Sequence, residues 1–337
     1  MSKFAGGQLS GRFPWPADVI EAARRYTRES STENLGALDA SRRRAAKEIA
    51  TLQASAGFRF LTDGGVGFLD EFTPYASDLE GVGSGGNIDK YPGTRNSYYH
   101  TPVVKGALKG SSLIKRHLYT DELIAGKRKA ILPSPASLAL ATENTYYSSL
   151  EELTAAFADV LRQDVAALEA AGYDLIQLNE CFLTVERFSK NTSRSFVDSF
   201  VRSVDRVFKG SRKRSCIYFH SGDASQLLPR VNDTVVTDVG FDFHTPASTA
   251  SRIRADKNVV LGLQNSTRKL PEDWLEKEPR ELATRAQEYL KALRLDKESE
   301  VFLSPSQDYD GLQTYPQAKR RLDNLKNAVS LLGVTHA

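Results

Sequence analysis

Two short stretches hold the residue types that could do chemistry: CIYFHSGD at 216–223 and TVVTDVGFDFH at 234–244. Each is an apolar run that ends in imidazole or carboxylate. Residues two apart on a strand point to the same side, so Tyr218 shares a side with His220, and Asp242 with His244. On neighbouring strands, two histidines, an aspartate and a tyrosine converge, and Asp310 reaches the same spot from a last strand. Two imidazoles with one or two carboxylates is ordinary donor chemistry for zinc or ferrous iron. His220, Asp242, His244, Tyr218 and Asp310 are therefore the candidate metal ligands. For each histidine the competing reading is a hydrogen-bonded structural residue.

Other strand ends leave Asp63, Asn179, Glu180, Gln264, Asn265 and Asp308. Glu180 follows the apolar run LIQL, where a carboxylate is costly to bury without a partner. It reads either as one half of a salt bridge across the site, or as a group that holds a substrate ammonium or orients a ligand. His220, Asp242 and Glu180 are the candidate catalytic residues. His100 is a minor substrate-contact candidate; His117 and His336 read as local surface residues. Cys181 and Cys216 form no CxxC and read as core thiols, which points to a reducing compartment.

The elements that must position these residues alternate between strand and helix. FRFLTDGG (58–65), RKAILP (128–133), YDLIQLNE (173–180), CIYFH, TVVTDVGFDFH, NVVLGLQN and EVFLSPSQ read as strands. Leu150, Leu153, Phe157, Val160, Leu161, Val165 and Leu168 recur at helical spacing after a Ser149/Glu152 capping box, and Gly172 supplies the stop. Further helices fit 192–209, 274–293 and 315–332. This alternation predicts a parallel sheet. SGGN at 84–87 does not join a strand to a helix, so it is no nucleotide loop, and a (β/α)₈ barrel fits better than a doubly wound sheet. Residues 1–337 are expected to form one domain, with an insert or lid at about 66–127.

Composition narrows the class. The net charge is only +3, and no basic block interleaves with aromatics, so nucleic-acid binding has no support. Arg42-Arg43-Arg44 reads as a solvated helix face. No stretch approaches the roughly 18 apolar residues of a membrane span, and the N-terminus has no apolar leader. A cytoplasmic protein with a small-molecule substrate is expected.

Several stretches together resemble the cobalamin-independent methionine synthases. GRFPWP resembles that family's opening GSFP, FLTDGG its TDGE strand, and KAILPSPASLA its LPGPVTLA segment. DLIQLNECFL resembles IQIDEPAL, and DGLQTYPQAKRRLDNLKNAV resembles the closing CGLKT stretch and its helix. The resemblance runs from about residue 10 to 332 and implies a (β/α)₈ barrel of the uroporphyrinogen decarboxylase and methionine synthase type. It corresponds to the catalytic half of the long enzymes. Short members of this kind are thought to take a methyl group from a corrinoid or another donor.

The resemblance also implies a zinc site, and there this chain departs from the pattern. The family's His-x-Cys falls on Tyr218-Phe219-His220, its Glu on Asp242 and the Cys of CGL on Asp310. The Ser of GSFP becomes Arg12, the Glu of TDGE becomes Gly65 and the Asp of IDEP becomes Asn179, while Glu180 is kept. The acid–base histidine falls near Thr267. With both thiolates gone, the donors are harder and suit iron or manganese as well as zinc. Arg12, Asp63, Asn179, Glu180 and Asn265 are the expected substrate contacts, and Arg12 favours an anionic group. The leading expectation is a metal-dependent methyl or alkyl transferase with an altered acceptor. The alternatives are a divalent-metal lyase or oxidative enzyme on a His/Asp/His site, and a non-catalytic binding homologue.

Overall fold

A computed structural model describes residues 3–90, 98–110, 113–122, 126–190, 192–267, 270–309 and 314–333. Eight strands form one curled sheet: β1 (Lys3–Gly7), β2 (Phe60–Leu61), β3 (Lys127–Pro133), β4 (Leu175–Glu180), β5 (Arg214–Phe219), β6 (Asp238–Asp242), β7 (Asn258–Gln264) and β8 (Glu300–Pro305). Every neighbour pair is parallel, and β1 lies beside β8, so the strands follow chain order around a (β/α)₈ barrel. The long helices are α1 (Ala17–Arg28), α2 (Thr32–Ser55), α3 (Leu150–Ala170), α4 (Arg194–Phe208), α5 (Glu272–Ala292) and α6 (Tyr315–Leu331). Among the described residues no helix is long and apolar enough to cross a membrane.

Local chemistry sets the element ends. At α3 the Ser149 hydroxyl accepts from the Glu152 N–H, while the Glu152 carboxylate turns to Ser148 rather than completing the box on Ser149. β2 is shorter than its apolar run because the chain turns at Asp63, whose carboxylate accepts the Gly65 N–H at 2.9 Å. β6 begins at Asp238 rather than Thr234, since the Lys257 ammonium caps the Thr234 and Val236 carbonyls before the strand starts. Arg43 and Arg44 are exposed on α2 and pair with Asp39 and Asp18.

Between β2 and β3 the chain leaves the barrel. Strands Glu80–Lys90 and Tyr98–Lys109 form an antiparallel hairpin, and the second also pairs with Glu143–Asn144. The base of this excursion is fastened to α3. Asp164, buried on that helix, accepts the Tyr75 hydroxyl at 3.2 Å and the Ile114 N–H at 3.1 Å.

The barrel interior is filled in layers. At the N-terminal end, Glu300 bridges Arg59 and Arg214, Arg214 also grips Asp238, and the guanidiniums lie over the Phe60 and Phe302 rings. Burial opposes the Glu300 charge, but hydrogen bonds from the two arginines hold its carboxyl down at about 2. Above this layer sits Tyr218. A Cβ added at Gly240 would lie 2.2 Å from the Tyr218 ring, and one at Gly262 would lie 1.9 Å from its hydroxyl. The two glycines therefore make the room that the ring occupies. Gly262→Ala is expected to cost about 1–3 kcal/mol in urea unfolding, as overpacking does. The added cost shrinks in a Tyr218→Phe background, because the clash is with the hydroxyl. Equal cost in both backgrounds would refute this packing account.

Candidate active site at the barrel mouth

Alternation along β5 sends Arg214, Cys216, Tyr218 and then His220 to the inside. The register Tyr218↔Gly240 sets His220 level with Asp242 on the next strand. His220 is 2% exposed. Its Nδ1 lies 2.9 Å from Ser221 Oγ and 3.3 Å from Gln307 Oε1. The Gln307 oxygen can only accept, so Nδ1 carries the proton and Nε2 presents a lone pair. Nε2 is buried with no hydrogen-bond partner. Burial pushes the His220 pKa below its usual value, against the pull of Asp308 and Asp242.

Asp242 is 1% exposed and accepts the Ser221 N–H at 2.8 Å, the His244 N–H at 3.0 Å and His244 Nδ1 at 3.0 Å. The hydrogen bond to Asp242 raises the pKa of the half-exposed His244. Ser221 sits at φ 72, and no other described non-glycine residue has positive φ. Such a conformation persists only where its surroundings over-determine it, and Asp242 and Gln307 supply that hold.

A small cavity of about 30 Å³ lies against β3 and the turn after β2, and its wall includes Arg12, Asp63, Phe68, Glu71 and Lys129. Arg12 is already engaged: its Nε donates to Asp308 at 2.9 Å and its Nη1 to the Leu69 carbonyl at 2.5 Å. The positive charge expected to draw an anionic substrate is thus matched within the chain. Asp63 accepts the Gly65 and Tyr119 N–H groups, and burial raises its pKa. Asn179 faces inward, donating to Glu71 at 2.8 Å and accepting from Gln177 at 2.7 Å.

Glu180 does not join them. It is the next residue on β4 and points to the opposite side, where it accepts from the Ser134 hydroxyl and the Phe182 and Leu183 N–H groups. It ties the loops after β3 and β4 together, which replaces the expected catalytic or ammonium-holding role. Asn265 likewise turns its side chain onto Thr267. His100 is exposed on the hairpin, and His117 pairs with Asp78.

No family model matches the chain. A methionine synthase from Saccharolobus islandicus is 26% identical over 149 residues, 43% of this chain and 41% of that protein. One from Saccharolobus solfataricus is 25% identical over a stretch of the same length. The matched stretch thus spans less than half of these relatives. A B12-independent methionine synthase from Shewanella, solved with selenomethionine, superposes with TM-score 0.77 over 98% of both chains at 17% identity. The chain resembles the methionine synthases. A Listeria monocytogenes structure described as of the same B12-independent type gives TM-score 0.70 at 17% identity over 98% of both chains. A methyltransferase from Methanosarcina mazei gives 0.60 at 15% over 98% of this chain and 92% of that one.

The zinc that resemblance to methionine synthases implies finds few donors here. Tyr218, at the position of the family's histidine, is held in the barrel interior, its hydroxyl 3.0 and 2.9 Å from the carbonyls of Pro305 and Ser306. It is a packing residue, not a ligand. Asp310 lies outside the described residues. Among the described residues no group of three or more His, Cys, Asp or Glu side chains is set to hold a metal ion. Asp242 is also already saturated with N–H donors. The described residues do not fit a divalent ion, and no step below is routed through one.

Sequence reasoning missed Glu71, Gln307 and Lys129. Lys129 had a signal: it interrupts an apolar strand at the register shared by Ile131 and Pro133, two further lining residues. Glu71 and Gln307 lie in irregular segments with no period to read.

Removing the Glu180 carboxyl strands two buried N–H groups. Glu180→Ala is expected to cost about 1–3 kcal/mol in chemical denaturation. Burial raises the Glu180 pKa, so the folded state binds the extra proton and wild-type stability falls as pH rises above the ordinary carboxylate range. Glu180→Gln is expected to flatten that slope in melting curves; an unaltered slope would assign it to other groups.

Proposed function

We propose that the chain is a methyl or alkyl transferase of the methionine synthase type, acting on a small-molecule nucleophile with a methyl group supplied by a separate donor. A corrinoid or other methyl-donor protein is the donor that the resemblance supports. The observation that carries this reading is the lone pair on His220 Nε2, buried and unpartnered at the mouth of a barrel with this fold.

The chemistry needs a nucleophile X–H to lose a proton as it attacks the donor's methyl carbon. The X–C bond forms, the donor–C bond breaks with its electron pair staying on the donor, and His220 Nε2 takes the proton. Gln307 and Ser221 fix the tautomer by occupying Nδ1. Asp242 holds the strained Ser221 turn in place. Asp308 joins the two halves of the site: it grips Arg12 on the cavity wall, and its charge favours the imidazolium that forms. Asn179 and Glu71 present polar atoms to one side of the substrate.

A general base contributes about 10²–10⁴ to rate. His220→Gln is expected to lose that factor in methyl transfer from methylcobalamin to a panel of small thiols, followed by mass spectrometry, with the circular dichroism unchanged. Because the base form persists below the usual histidine pKa, the wild-type rate stays level as pH falls to about 6.5 and drops only beyond it. A His220→Gln enzyme with wild-type rate would remove this residue from the mechanism. Elemental analysis of tag-free protein is expected to find metal well below one ion per chain. Stoichiometric zinc that is lost in Asp242→Ala would reinstate the metal site.

A further inference from the structure

The same cavity contains a group that the transfer does not use. Lys129 is 1% exposed on the inner face of β3. Its Nζ meets only neutral acceptors, Gln8 Oε1 at 2.8 Å and the Leu9 carbonyl at 2.6 Å, and among the described residues it has no ion pair. An ammonium buried without a carboxylate partner is costly, and the group sheds its charge instead. We propose that Lys129 is a nucleophilic amine that condenses with a small aldehyde or 2-oxo acid entering the cavity beside Asp63 and Glu71.

The placement supports this. Lys129 lines the cavity wall and stands close to the ionic layer at the barrel's N-terminal end. The charges that act on it from below are Asp238 and Arg214, of opposite sign, with Cys216 beside it. Burial dominates them and brings its pKa down to about 7, so much of it is neutral at physiological pH. On the cavity side, Arg12, Asp63 and Glu71 share the wall. Asp63, whose pKa burial raises, can carry and return a proton.

The step balances without a redox partner. The amine nitrogen attacks the carbonyl carbon, the C=O π pair moves to oxygen, and oxygen takes a proton to give a carbinolamine. That oxygen then leaves as water on receiving a second proton, nitrogen gives up its remaining protons, and a C=N bond forms. The net change is amine plus carbonyl to imine plus water. This inference does not rest on methyl transfer, and the His220→Gln rate bears on that reading alone.

The test treats the full chain with glyoxylate and sodium cyanoborohydride at pH 8, and maps reduced adducts by peptide mass spectrometry. Formaldehyde serves as a second, smaller probe. Lys129 is expected to label at least roughly ten-fold faster than the exposed Lys47 and Lys209. The rate is expected to rise as pH passes through about 7. Lys129→Met, checked for fold by circular dichroism, is expected to lose the fast adduct and keep the slow ones. Lys129 unlabelled by both probes, or labelled no faster than the exposed lysines, would show it to be a structural strut between β1 and β3 and overturn the proposal.

Discussion

The Tyr218 ring fills the space that Gly240 and Gly262 leave open, and the mouth of the barrel is built on that fit. A barrel of eight strands must be plugged by side chains, and what plugs it decides which residues stand above. On β5 a single column runs Arg214, Cys216, Tyr218, His220. Arg214 is fixed by Glu300 and Asp238, and Tyr218 by the carbonyls of Pro305 and Ser306. His220 therefore stands on a packed shaft. Its buried, unshared nitrogen follows from that support as much as from its own hydrogen bonds.

The sequence showed the barrel clearly because periodicity reports burial. Apolar runs such as VVLGLQ and the α3 stripe of Leu153, Phe157 and Leu161 could only be inner strands and a helix face. That His220 and Asp242 stand at the ends of neighbouring strands was also readable, since two-residue alternation and parallel register are simple rules. The rules stopped at strand ends. Glu180 and Asn179 look equally available in the chain, yet one reaches inward to Glu71 and its neighbour faces the loops. Tyr218 looked like a donor because only a partner strand reveals that two glycines have cleared its seat. Partners lying far away in sequence, such as Asp308 for Arg12, leave no local mark at all.

Polar groups at the mouth are engaged by neighbours within the chain. Arg12 has Asp308, His244 has Asp242, and Asn179 shields Glu71. Such pairing fixes the orientation of each group within the site. Among the described residues His220 and Lys129 are the groups of this region with hydrogen bonds to neutral partners and no ion pair. Both are nitrogen bases whose burial costs least when they are uncharged.

The excursion between β2 and β3 supplies Phe68, Glu71, Ile114 and Leu118 to the cavity wall, and its base is clipped to α3 through Asp164. The clip separates two jobs. The hairpin strands beyond it, Glu80–Lys90 and Tyr98–Lys109, pair with each other and with Glu143–Asn144 rather than with a barrel strand. In mechanical terms the segment is an outrigger: it is braced at its base and lies outside the strand order of the barrel. The wall residues Phe68, Glu71, Ile114 and Leu118 flank the hairpin on both sides, so the clip holds the cavity wall to the barrel whatever the hairpin beyond it carries.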